Sequence, residues 1–143
     1  MRRVIRIAFV AAALSLTACR TPHRSVAVDV DLAEWSTETE IVVENDDTLT
    51  LRDIALFLRY NDCFNDDTLT LRIEVRTPDS LRCEEWLQVS MPRPRKPAAL
   101  RRQAIADFRR QALLARSGDY RFTVAPVRPV EGIEAVGIYV KSY

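Results

Sequence analysis

Hydrophobic and polar residues alternate along much of this chain, which is the pattern of strands with one buried face. The clearest case is residues 68–76, where Leu, Ile and Val at odd positions share one side and polar side chains occupy the other. Similar runs predict further strands at 26–32, 39–44, 49–58, 81–89, 120–125 and 135–140. Together they predict an all-β fold, a mostly antiparallel β-sandwich.

The octapeptide NDDTLTLR occurs twice, at Asn45–Arg52 and at Asn65–Arg72. An EF-hand calcium loop needs acidic residues at alternate positions and a glycine at its sharp turn, and neither copy has that glycine. Asn and Asp also start tight turns well, and Thr-Leu-Thr-Leu is a plain strand opening. Each copy is therefore predicted to be a turn followed by a strand, with a cation site between the two loops as the alternative.

The two copies continue differently along the chain. After the first copy, the apolar positions move from odd numbers at Leu49 and Leu51 to even numbers from Ile54 onward. A shift of one residue turns every side chain to the other face of a sheet, so a bulge or break is predicted at Arg52–Asp53. We expect the copies not to be equivalent structural repeats.

One segment, residues 98–116, has an ambiguous pattern. Its Ala, Leu, Arg and Gln content favours helix. Proline precedes the segment and Ser117-Gly118 follows it, as is common at helix boundaries. These signals predict a helix over residues 98–116.

The first residues are typical of a secretory signal. Arg2, Arg3 and Arg6 form a basic region, and the apolar run Ile7–Leu16 is too short to span a bilayer. The run ends in Leu16-Thr17-Ala18-Cys19, which is similar to the lipobox of bacterial lipoproteins. That similarity implies cleavage before the cysteine and acylation of its thiol.

The chain is accordingly divided into a signal peptide at 1–18, a lipid-anchored tether at 19–25 and one β-sandwich domain at 26–143. Several acyl chains on Cys19 would anchor the protein essentially permanently to a membrane. The next residue is Arg20 rather than Asp, so the inner-membrane retention signal of some Gram-negative bacteria is absent. The predicted location is the outer membrane, with the domain facing the periplasm.

Charge and cysteine content limit the possible partners and the possible cross-links of the chain. Loss of residues 1–18 removes three of the 21 basic residues and none of the 20 acidic ones, so the net charge becomes −2. This balance gives no electrostatic case for binding nucleic acid. Cys63 and Cys83 remain in an oxidising compartment, which favours a disulfide between them, with two buried thiols as the alternative.

The sequence offers little for catalysis. Its one histidine, His23, lies in the predicted tether, and there is no Gly-rich phosphate loop or nucleophile elbow. We therefore expect no enzyme activity, metal or cofactor. We expect Trp35 and Trp86 to pack at the edge of the core, and the alternative is that they form a platform that stacks against sugars.

The order of several short motifs resembles a known family. After the lipobox come an early tryptophan, IALFLRYN, FND, a TPD turn, SGDYRFTV and a final GIEAVGIYV. This arrangement is similar to the GldH-like gliding-motility lipoproteins of the Bacteroidetes, over most of residues 19–143. The matching positions are Trp35, Arg59, Asn61, Phe64, Asn65, Pro78, Asp79, Gly118, Tyr120, Gly132 and Gly137. The family's Trp-x-Gly-x-Gly stretch is replaced here by MPRPRKPAALRRQ.

The resemblance implies a lipid-anchored protein without catalytic residues, related to gliding or secretion assemblies. It also implies a strand at Phe108–Ala115, which limits the predicted helix to one short helix around residues 98–107. A protein of this kind would dock another envelope protein through an exposed apolar or strand-edge patch. The alternative is a glycan-binding sandwich, which would place Trp35 or Trp86 beside acidic residues on an exposed face.

Overall fold

The computed structural model describes residues 23–93 and 102–143. These residues form eight β-strands, and no helix is present among them. The strands are β1 (His23–Asp29), β2 (Thr39–Asn45), β3 (Leu51–Tyr60), β4 (Thr68–Arg76), β5 (Arg82–Ser90), β6 (Arg102–Leu113), β7 (Gly118–Pro126) and β8 (Ile133–Ser142). The predicted all-β class is confirmed.

The strands pair in nested order: β1 with β8, β2 with β7, β3 with β6, and β4 with β5, all antiparallel. This is the pattern of one long hairpin that has been rolled up. Further pairing of β3 with β8 and of β4 with β7 completes two four-stranded sheets. Sheet A has the order β1-β8-β3-β6 and sheet B the order β2-β7-β4-β5. The topology is that of an eight-stranded jelly roll, and the predicted antiparallel sandwich is confirmed.

The core lies between the sheets and follows the period of two along each strand. In β4, Leu69, Leu71 and Ile73 are fully buried, as the sequence pattern predicted. In β3, the even positions from Ile54 to Tyr60 point inward. Burying such side chains stabilises the fold by about 1.5–3 kcal/mol each.

The two ends of the sandwich differ. The end at which β1 begins and β8 ends, which we call the lower end, carries the connections 46–50, 77–81 and 114–117. The opposite, upper end carries the connections 30–38, 61–67 and 127–132. The upper end is closed by buried apolar side chains: Trp35, Phe64, Met91 and Val130.

The predicted helix at 98–107 is wrong where it can be judged. Residues 102–107 belong to β6, and residues 98–101 lie outside the described part of the chain. Ala104 is buried and Ala106 and Phe108 pack against the core, at a spacing of two. Pairing with β3 therefore outweighs the local helix propensity. The strand implied at Phe108–Ala115 is observed as far as Leu113.

The irregularity predicted at Arg52–Asp53 is present, but it arises from the partner strand β6 and not from β3. β3 pairs with β8 without interruption from Arg52 to Arg59, so β3 has no bulge there. The irregularity lies in the pairing of β3 with β6, between Arg52 and Ala55, and the extra residues are on β6. Arg52 keeps the inward phase of the strand, and Leu51 points outward.

Strand β1 begins at His23, so the sheet already includes the last three residues of the segment predicted as the tether. Within residues 23–93 and 102–143 the structure contains no helix of the length and hydrophobicity needed to cross a membrane.

Candidate functional site

The outer face of sheet A is unusually apolar at its centre. One row across the sheet consists of Ala27 on β1, Gly137 on β8, Phe57 on β3 and Ile105 on β6, each paired with the next. Gly137 makes this row compact, because a Cβ at that position would lie 2.3 Å from Cζ of Phe57. The ring therefore lies directly on the backbone of β8.

Phe57 is only 5% exposed although it points away from the core. Ala55 beside it is also buried, and Ile105 at the end of the row is 60% exposed. No strand or helix among the described residues covers this face. An apolar row that ends in an exposed isoleucine on an uncovered face is a candidate for binding another molecule.

A groove of about 490 Å³ runs over this row, and we call it the sheet-A groove. All four strands contribute to its lining, which consists of Ser25, Asp53, Ala55, Phe57, Arg59, Gln103, Ile105, Asp107, Tyr139 and Lys141. Its floor is apolar and its border carries charges of both signs. This combination is common in sites that bind ligands or protein segments.

Local contacts fix the border of the groove. The guanidinium of Arg59 lies 5.9 Å from the centre of the Phe57 ring, a cation–π distance. Tyr139 stacks on His23 with ring centres 5.6 Å apart. The one histidine of the chain is thus a packing partner at the groove border.

Asp53 ties three elements together at the lower end of the groove. It accepts hydrogen bonds from the Tyr143 hydroxyl and, at 2.9 Å, from the backbone N–H of Gln111. The hydrogen bond from Tyr143 has the larger effect and the one from Gln111 the smaller, and together they hold the pKa of Asp53 below its usual value. Gln111 reaches Asp53 from the irregular part of β6, where its φ is +50°. A bulge of this kind also protects an edge strand from pairing with other chains.

The outer face of sheet B is different in kind. Arg82 contacts Glu74 with a 3.1 Å hydrogen bond, Arg121 contacts Glu40 at 2.7 Å, and Arg72 pairs with Glu38. Such exposed ion pairs contribute little to stability but keep a face solvated.

The two tryptophans do not form a shared platform. Trp35 is 1% exposed, and its indole N–H donates to the carbonyl of Thr37 at 2.9 Å, so it cannot stack on a ligand. Its backbone pairs with Val130, which places it in the upper-end core. Trp86 is 64% exposed on the outer face of sheet B, opposite Arg72. The expected packing against the core is observed for Trp35 and not for Trp86, so Trp86 alone remains a candidate for stacking on a sugar.

The predicted disulfide is not formed in this structure. Cys63 and Cys83 are both free and exposed, so the alternative of two buried thiols is wrong as well. Cys63 lies in the upper-end connection before Thr68, whereas Cys83 pairs with Val75 near the lower end. Seven residues of strand separate these levels, about 23 Å, and a disulfide needs Cα atoms within about 7 Å.

The first octapeptide forms a buried polar cluster. The amide of Asn45 donates to the carbonyls of Leu114 at 2.9 Å and Arg116 at 2.8 Å. Its Oδ1 accepts a 2.6 Å hydrogen bond from Arg52, which also donates to the carbonyl of Asp47 at 3.2 Å. This cluster joins the connections 46–50 and 114–117 and closes the lower end of the core.

Asp47 organises the first connection. A hydrogen bond from the Thr50 side chain, with backbone bonds from Leu49 and Thr50, lowers the pKa of Asp47 to about 2. The copy is thus a turn leading into a strand, as predicted.

The second copy lies at the upper end, so a cation site between the two loops is not formed. Within residues 23–93 and 102–143, no group of three or more His, Cys, Asp or Glu could hold a metal ion.

The residues that carry the family resemblance mainly hold the fold. Gly132 has φ +80°, and a Cβ there would lie 2.4 Å from the backbone nitrogen of Phe64. The backbone N–H of Asn61 donates to the carbonyl of Gly132 at 2.9 Å. Gly118 has φ +120° and packs on Pro78. These contacts fix turns and close approaches of the chain.

Sequence analysis did not single out the sheet-A groove. The feature that could have indicated it is the uninterrupted apolar run Ile54–Leu58. In a strand with one solvated face, apolar and polar residues alternate, and in this run they do not. The predicted lipidation site, Cys19, lies outside the described residues.

A scan against protein-family models and a search of curated proteins find no match. Among solved structures, the chain is similar to the Eiger TNF of S. frugiperda, with 14% sequence identity and a TM-score of 0.35. That alignment covers 83% of this chain and 92% of the other chain. A TM-score this low carries no argument about function.

Proposed function

We propose that this protein is a non-catalytic, lipid-anchored protein of the bacterial outer membrane that docks another envelope protein through the sheet-A groove. The lipobox-like Leu16–Cys19 supports the anchor, and the resemblance to GldH-like lipoproteins supports a role in an envelope assembly.

The observation that carries the docking proposal is the position of Ile105. It is 60% exposed at the end of an apolar row whose other large member, Phe57, is already buried. A partner that covers Ile105 would extend an existing apolar surface and would not have to desolvate charges at its centre. The border residues Arg59, Asp53 and Lys141 would then select the partner by charge.

The test is recovery of partners from intact cells. After crosslinking, the tagged protein is purified from outer-membrane fractions and its partners are quantified by mass spectrometry. We expect one or two envelope proteins in near-equal amounts with the parent chain. Ile105→Asp should lower this recovery about tenfold, because a central apolar contact commonly contributes about 1.4 kcal/mol or more.

Val127→Asp is the matched control, because Val127 is also an exposed aliphatic residue but lies in the upper-end connection 127–132. It should keep the parent's recovery. Recovery of the lipoprotein alone from parent cells would contradict the docking proposal.

Trp86 favours glycan binding as a second candidate function. It is exposed on β5 with Glu84 and Gln88 on the same face of the strand, and an exposed aromatic ring beside polar groups can stack on a sugar. A glycan panel with the parent and Trp86→Ala tests it. Binding that Trp86→Ala abolishes would support this candidate, and no binding would reject it.

A further inference from the structure

The lower end of the sandwich exposes an unusual share of the large apolar side chains. Nine such side chains are exposed among the described residues, and five of them lie at this end. These five are Leu49, Leu51, Leu81, Leu113 and Tyr143. Single exposed leucines are ordinary, but clustering at one end of a domain points to a contact surface.

Four of these residues are held close together: Leu49, Leu51, Leu113 and Tyr143. We call them the apolar rim. Leu51 pairs directly with Leu113 across β3 and β6. The backbone N–H of Tyr143 donates to the carbonyl of Leu51 at 3.3 Å. Leu49, which is 87% exposed, lies two residues before Leu51.

The upper end shows the contrast. There Trp35, Phe64 and Met91 are buried and seal the core. At the lower end the core is closed by Asn45 and Arg52, and the leucines of the same octapeptide point outward. The side chains of the apolar rim are therefore not needed to close the core.

The rim lies at the end where the chain enters the domain. β1 begins at His23, which pairs with Lys141, two residues before Tyr143. Three residues separate His23 from Cys19 in the sequence. Their covalent length limits the distance between the Cα atoms of Cys19 and His23 to about 14 Å.

We propose that the lower end of the sandwich lies on the membrane, with the apolar rim inserted into the lipid headgroup layer. This inference rests on the lipid anchor of the proposed function. Acyl chains on Cys19 would hold His23 near the bilayer, and the apolar rim is the surface at that end which gains most from leaving water. The strands then stand on the membrane, and the sheet-A groove faces a partner beside it.

Charges at this end do not favour one type of lipid. Arg24 lies beside Glu44, Asp46 and Asp47, and Lys141 lies near Asp53, so positive and negative groups are interspersed. The contact should therefore depend on the apolar side chains and change little with ionic strength.

The test uses the full acylated chain in vesicles of phosphatidylethanolamine and phosphatidylglycerol, with and without brominated acyl chains that quench tryptophan. Leu49→Trp places a probe on the apolar rim, and Val127→Trp is the matched control at the upper end. The emission of the parent, from Trp35 and Trp86, is subtracted. We expect the added emission of Leu49→Trp to fall about twofold in brominated vesicles, at low and at high salt, because its ring would sit at the acyl boundary. Val127→Trp should be unchanged.

Leu113→Trp provides a second rim probe if Leu49→Trp does not fold, and it should be quenched in the same way. Equal quenching at the two ends, or none at the rim, would overturn the inference, and so would quenching that high salt abolishes. The mass of the N-terminal peptide and vesicle flotation separate the two proposals. An acylated, floating protein with an unquenched rim refutes the orientation alone, whereas a chain without acyl groups refutes the anchor and the orientation together.

Discussion

The two copies of NDDTLTLR have the same eight residues and opposite burial. In the first copy, Asn45 and Arg52 are buried and Leu49 is 87% exposed. In the second copy, Asn65 is exposed and Leu69 is 1% exposed. Corresponding side chains therefore face the core in one copy and solvent in the other.

The difference arises from the strand into which each copy runs. The second copy leads directly into β4, whose inward positions continue at Ile73 in the phase of Leu69. The first copy crosses from β2 in sheet B to β3 in sheet A, and β3 takes its phase from Ile54 onward. Because side chains alternate along a strand, Arg52 must then point inward and Leu51 outward. An octapeptide therefore does not determine its own face; the strand that contains it does.

The largest expected effect comes from the leucines. Leu69→Ala should lower the free energy of unfolding by about 3 kcal/mol, because it leaves a cavity in the core. Leu49→Ala, the same change at the matching position of the first copy, should cost less than about 0.5 kcal/mol. Urea unfolding of both variants measures the difference. Equal losses would contradict the assigned burial.

The asparagines should show the reverse order. Asn45→Ala removes two hydrogen bonds to backbone carbonyls and the acceptor for Arg52. Leaving such buried groups without partners should cost about 2 kcal/mol. Asn65→Ala, at an exposed position, should cost less than about 0.5 kcal/mol. Equal costs for the two variants in the same unfolding assay would contradict the assignment of Asn45 to a buried polar cluster.

The smallest expected effect concerns acid stability. The pKa of Asp47 is about 2 in the folded protein, against an ordinary value of 3.8. The unfolded chain binds the proton more readily, so the stability that Asp47 contributes is present above about pH 4 and is lost as the pH falls towards about 2. Asp47→Asn should flatten this part of the profile of stability against pH. Asp67→Asn in the second copy should lose stability with falling pH as the parent does, because it leaves Asp47 intact.

Much of the fold could be predicted from the sequence. The alternation in 68–76 and in 120–125 required no tertiary information, because each of these strands has one buried and one solvated face. The strand at Arg102–Leu113 could not be predicted in this way. Its alanines, arginines and glutamines favour helix locally, and only pairing with β3 makes the extended form more stable.

The candidate site was harder to predict than the fold. The sheet-A groove depends on Gly137 lying opposite Phe57, a pairing of β8 with β3 between residues far apart in sequence. Trp35 and Trp86 looked alike as sequence features, and only the packing of the upper end separates the buried one from the exposed one. Likewise, Cys63 and Cys83 suggested a pair until the register of β4 and β5 placed them at different ends.

The measurement that tests the central claim most directly is photo-crosslinking in intact cells. A benzoylphenylalanine is placed in turn at Ile105 in the sheet-A groove, at Trp86 on sheet B and at Val127 at the upper end, all of which are exposed. The account predicts one discrete adduct with an envelope protein at position 105 and none at positions 86 and 127. The absence of an adduct at position 105, or an equal adduct at position 86, would contradict docking through the sheet-A groove.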